Sequence, residues 1–115
     1  MIKTESLAID QTQLVKAWSD AMPTVLNLSD RVEVKADEAD ANALWVNIQT
    51  EGRSLYSFDF KCVYKDSREV KVEFIDVEQD GVHVNEQTEI IQTLIEDYVR
   101  HIHECAQQLH AVTHH

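Results

Sequence analysis

The sequence predicts an α+β fold: a two-layer sandwich made of an N-terminal helix, a four- to five-stranded antiparallel β-meander and a long C-terminal helix. Three observations predict it. Apolar residues recur at helical spacing near both ends, they alternate with polar residues between positions 31 and 84, and the segments between the alternating runs are short. Short connections join neighbouring antiparallel strands, because a parallel pair needs a crossover of a dozen residues or more.

The first helix is expected from Asp10 to Ala21. Asp10 has Gln13 at the reciprocal capping-box position, and Ile9 and Leu14 flank them at staple spacing. Leu14, Trp18 and Ala21 then repeat at helical spacing until Pro23, which is expected to stop the run. Residues 24–29 are apolar without a period. From Arg31 a strand begins, with Val32, Val34 and Ala36 on one side and Glu33 and Lys35 on the other.

After an acidic loop from Asp37 to Asn42, Leu44, Val46 and Ile48 alternate with Trp45, Asn47 and Gln49 in a second strand. A turn containing Gly52 leads to a long third strand with Tyr56, Phe58, Phe60, Cys62 and Tyr64 on one side, the strongest core signal in the chain. Val70, Val72 and Phe74 mark a fourth strand. Its phase slips to Ile75 and Val77, which predicts a bulge or bend after Phe74. Asp80-Gly81 reads as a tight turn, and Val82-His83-Val84 as a short final strand.

Asn85 is the expected cap of the last helix, with Glu86 and Glu89 placed where the helix dipole favours acids. Its apolar stripe runs through Ile91, Ile95, Tyr98, Ile102, Cys105, Leu109 and Val112. Unbroken, such a helix extends roughly 40 Å and overhangs the sheet.

With 115 residues, 43% of them hydrophobic, the chain has material for one core and is expected to form a single domain over residues 1–115. The balance of 21 acidic against 10 basic residues, a formal charge of -11, repels phosphate backbones and anionic lipid, so neither nucleic acid nor membrane is an expected partner. No signal segment or stretch of membrane-spanning length is read, and the two distant cysteines are read as reduced thiols, which points to the cytoplasm. No internal repeat or low-complexity tract is found.

Three constellations could carry chemistry, and each has a plainer explanation. His101, His103, Cys105, His110, His114 and His115 form partial ligand pairs on one helix, but a closed metal site needs about four ligands converging from directions that one straight helix does not supply. The run Asp76-Val77-Glu78-Gln79-Asp80-Gly81 opens like a calcium loop, yet the closing position is Gln87 rather than Glu, so a charged hairpin end explains it. Cys62 lies among aromatics, where burial raises rather than lowers a thiol pKa. With no phosphate loop, nucleophile elbow or dinucleotide fingerprint, the expectation is a non-enzyme without metal or cofactor.

Two apolar surfaces are left over once one small core is assembled. Opposite the aromatic row stand Trp45, Leu55, Val63 and Ile75, with Val77 at the phase slip, too apolar for a fully wetted face unless the segment around Val25, Leu26 and Leu28 crosses it. The C-terminal stripe of Tyr98, Ile102 and Leu109 has heptad spacing, which suits a helix lying on a sheet and a helix pairing with its twin equally. These residues point to a protein-interaction module that self-associates as a homo-oligomer or binds another protein. The alternative is a small-molecule binder with an apolar pocket between sheet and helix, lined by Trp45, Tyr56, Phe58 and Phe60.

Overall fold

The computed structural model describes residues 9–27, 29–50, 56–67, 69–80 and 82–113. Helix α1 spans Gln11–Val25 and starts on the expected capping box: the Asp10 side chain accepts from the Gln13 N–H at 2.8 Å, and the Gln13 side chain accepts from the Asp10 N–H at 3.0 Å. The helix does not end before Pro23. It continues one turn further because Pro23 lies so near the C-terminus that only the Ser19 carbonyl, four residues back, loses its donor. Ser19 and Pro23 are both exposed, so that carbonyl is open to water.

Strands β1 (Arg31–Ala36), β2 (Ala43–Gln49), β3 (Tyr56–Tyr64) and β4 (Val70–Gln79) form an open antiparallel sheet in that order. Val82 and His83 then pair with Gln79 and Glu78, two residues beyond β4. Leu44, Val46 and Ile48 stand opposite Cys62, Phe60 and Phe58, and all six are buried on one face, as their alternation predicts. The residues 51–55 that carry the predicted glycine turn and Leu55 lie outside the described part of the chain.

On β4 the ladder pairs Phe74 with Phe60, skips Ile75, and resumes with Asp76 opposite Asp59 and Val77 opposite Phe58. This is the bulge expected after Phe74. It also corrects one placement. Simple alternation leaves Val77 beside Ile75 on the outer face, but one extra residue flips the parity and returns Val77, fully buried, to the inner face.

Helix α2 spans Glu89–Gln108, and its cap is Thr88 rather than Asn85. Thr88 Oγ1 accepts from the Ile91 N–H at 3.4 Å, while the Asn85 side chain accepts from the Gln87 N–H at 2.9 Å in a turn of its own. The predicted unbroken helix is also cut short. At Leu109 the chain breaks and makes one more helical turn, His110–Thr113, whose last residue is buried and donates from Oγ1 to the Ser67 carbonyl at 3.2 Å. At about 1.5 Å per residue the 20-residue α2 is roughly 30 Å long, and its end is folded onto the β3–β4 turn instead of overhanging.

Both helices pack against residues of the inner face. The Trp18 indole donates to Tyr64 Oη at 3.1 Å with the rings edge to face, and the Tyr98 ring lies 5.2 Å from Phe58, which in turn stacks on Phe60. Tyr98 also reaches the Asp30 carboxyl, whose burial pushes its pKa above the ordinary 3.8 against the opposing pull of that hydrogen bond. At the other end, Gln11 Nε2 lies within 2.9, 3.0 and 3.1 Å of the carbonyls of Asp37, Asp40 and Ala43, tying the start of α1 to the β1–β2 loop.

We expect Phe58→Ala to cost about 3–5 kcal/mol in urea unfolding, because it empties the centre of the aromatic row. Asp10→Ala, which removes one cap, should cost about 1 kcal/mol. Equal costs for the two would show that the row is not the core.

Candidate functional site

The face of the sheet turned away from both helices is built from the odd-numbered residues of β2 and β3. The register sets Lys35, Trp45, Lys61 and Glu73 in one row across the four strands. Glu33, Asn47, Asp59 and Asp76 form the next row, and Val63 stands beside Lys71. Asn47 Nδ2 donates to Asp59 Oδ1 at 2.7 Å and to Ser57 Oγ at 2.8 Å, so the polar part of this face is a connected network.

Trp45 is the largest side chain on the face, and it is fixed. Its indole Nε1 donates to Asp37 Oδ2 at 2.9 Å. The Lys61 ammonium lies 3.5 Å from the same oxygen and 5.7 Å from the indole centroid, in reach of a cation–π contact. The other carboxylate oxygen of Asp37 accepts from the N–H groups of Ala39 (2.8 Å) and Asp40 (2.9 Å). Although its residue is buried to 7% exposure, this carboxylate is fully served by donors.

The hydrogen bond from Ala39, joined by those from Asp40 and Trp45 and by the nearby Lys61 charge, outweighs burial and holds the Asp37 carboxyl below its ordinary 3.8. Asp37 is the residue that sequence reasoning missed. Its signal was an Asp at the first position of a short acidic loop, with N–H groups two and three residues on, the arrangement of an Asx turn.

The predicted interaction residues do not come together in one place. Trp45 and Val63 are half-buried on the outer face and Ile75, in the bulge, is 43% exposed. Leu55 lies outside the described residues. Tyr98 and Ile102 are 4% and 0% exposed in the chain's own core, and Leu109 packs against that core, so the heptad stripe belongs to a helix lying on a sheet. Val25 and Leu26 also pack into the inner core, and no described element crosses the face of Trp45.

Phe58 and Phe60 are wholly buried, and Trp45 is on the opposite side of the sheet from them, so these residues do not line a common pocket. A cleft of about 510 Å³ lies instead between the start of β4 and the end of α2, lined by Glu69, Val70, His103, Ala106, Gln107 and His110. A smaller one of about 190 Å³ lies on the outer face along Glu33, Lys35, Trp45, Asn47 and Asp59.

His101 Nδ1 pairs with Glu104 Oε1 at 2.7 Å, and among the described residues no three His, Cys, Asp or Glu side chains are gathered as a metal site would need. His114 and His115 lie outside the described residues. Burial pushes the thiols of Cys62 and Cys105 up to about 12, which leaves both as inert core groups near neutral pH. Asp76 to Gln79 are strand residues, and Asp80 makes the turn with φ at 52°, a left-handed conformation that Asp tolerates. No described helix is long and apolar enough to cross a membrane.

The Asp37 interactions give an acid-sensitivity test. Because the folded-state pKa is lowered, the stability that Asp37 contributes is complete above its unfolded value of 3.8 and is lost as pH falls through the lower folded value. Asp37→Asn should therefore be less stable than the parent at about pH 7, with the gap closing as pH falls below 3.8 and through the lower folded value. A gap that stays constant with pH would show that the carboxylate charge is not what holds Trp45. No known family matches the sequence, and neither curated proteins nor solved structures give a match to it.

Proposed function

We propose that the protein is a non-enzymatic interaction module of the cytoplasm that self-associates or binds another protein, with the outer sheet face as its recognition surface. One observation supports this above the rest. An indole held by a buried carboxylate, with Val63 half-buried and Ile75 exposed on the neighbouring strands, stands on a face that no described element covers. Rigid aromatic side chains of this kind serve as anchors in interfaces, because little side-chain freedom is lost when they are covered. The network of Asn47, Ser57 and Asp59 beside it supplies a polar rim.

The charge of -11 supports a protein partner over nucleic acid or an anionic membrane. The same reading takes the fold as a two-layer sandwich, both helices on the dry face, with Val82 and His83 as a short fifth strand at its edge.

A photo-crosslinking residue placed at 75 on the outer face should capture a protein in the native cell, and Trp45→Ala should abolish the capture. The same probe at 90, where Ile90 is 69% exposed at the start of α2, is the control. Capture of the same protein with equal yield at 75 and 90, indifferent to Trp45→Ala, would remove the outer face as the recognition surface.

A further inference from the structure

β4 is the last of the four long strands, and among the described residues no strand pairs with its far edge between Val70 and Phe74; the segment Val82–Val84 returns along it only from Gln79 to Val77, where the Val84 N–H donates to the Val77 carbonyl at 3.4 Å. Hydrogen bonds at the end of β3 establish which groups that edge presents. The Tyr64 N–H donates to the Asn42 carbonyl, on the β2 side, at 2.9 Å, and the Lys65 N–H donates to the Glu69 carbonyl, on the β4 side, at 2.8 Å. Backbone groups alternate in direction along an antiparallel ladder, so Glu69, Lys71 and Glu73 bond towards β3. The N–H and C=O groups of Val70, Val72 and Phe74 then point out of the sheet.

The side chains divide the same way. Those of Val70, Val72 and Phe74 are on the inner face, where Val72 and Phe74 are only partly buried. Lys71 and Glu73 are on the outer face with their charged ends 3.2 Å apart, and their side chains are 55% and 41% exposed.

We infer that two copies of this chain join edge to edge through β4, antiparallel about a two-fold axis at Val72, so that Lys71 of each copy stands opposite Glu73 of the other. The choice of register follows from charge. An axis at Lys71 opposes Lys71 to itself, and an axis at Glu73 opposes Glu73 to itself; like charges directly opposite destabilise a strand pair. An axis at Val70 runs off the start of the strand, and one at Phe74 leaves both charges without a counterpart and meets the bulge at Ile75.

The axis at Val72 makes two opposite-charge pairs at once, in non-hydrogen-bonded positions, where facing Cα atoms are closest at about 4.5 Å. Val72 exchanges its two backbone bonds with its counterpart, and Val70 meets Phe74 on the inner face. The row of outward-facing backbone groups, which has no strand partner among the described residues and is otherwise open to indiscriminate pairing, is closed by one self-complementary partner. The two outer faces then run on as one surface of eight strands.

This inference rests on the self-association proposed above, and its test separates the two. By sedimentation at micromolar concentration the parent chain should show about twice its 13.2 kDa. Lys71→Glu and Glu73→Lys should each dissociate about tenfold more readily, because each replaces two attractive pairs by repulsive ones. An equimolar mixture of the two variants should recover the dimer, as should the double exchange Lys71→Glu with Glu73→Lys. Neither variant regains its own Lys71–Glu73 pair on mixing, so recovery reports a contact between chains and not repaired folding. A dimer indifferent to both variants would overturn the β4 assignment and leave self-association standing. A parent chain that stays at 13.2 kDa would overturn both.

Discussion

The fold depends on the parity of β3. Nine residues alternate without a slip from Tyr56 to Tyr64, so Phe58, Phe60, Cys62 and Tyr64 are buried on one side while Asp59, Lys61 and Val63 are left on the other. Everything else is arranged around that division. α1 reaches it through Trp18 and Tyr64, α2 through Tyr98 and Phe58, and β4 needs its bulge to keep Phe74 and Val77 on the same side as the row they face. Because the inner side is dry and aromatic and the outer side is ionic, a shift of one residue would exchange the two environments along the whole strand, and the register is held accordingly.

Much of this was legible in the sequence wherever the determining interaction is local or periodic. The capping box at Asp10 and Gln13 involves residues three apart, and the bulge announced itself as a change of phase between Phe74 and Val77. Errors arose where two local signals compete. Asn85 and Thr88 are both good caps three residues apart, and the helix took the second because Asn85 already serves the Gln87 N–H. Pro23 looks like a stop because its cost inside a helix is large, but in a last exposed turn that cost falls on one solvated carbonyl.

The site was less legible than the fold. Trp45 and Ile75 could be placed on the outer face by alternation and phase, but the carboxylate that orients the indole takes its donors from Ala39, Asp40, Trp45 and Lys61, which no single period connects. The C-terminal stripe was ambiguous for a different reason. A helix packed on a sheet and a helix packed on its twin present apolar residues at the same spacing, and only the positions of Phe58 and Trp18 decide which surface meets Tyr98 and Ile102.

Asp37 belongs to both sides of this architecture. Its backbone carbonyl faces the amide of Gln11 at the foot of the first helix, and its carboxylate faces the indole of Trp45 on the outer surface. One residue thus couples the seating of a helix on the dry side to the orientation of an aromatic ring on the wet side. The helix on one side of the sheet and the indole on the other are thus referenced to the same short loop.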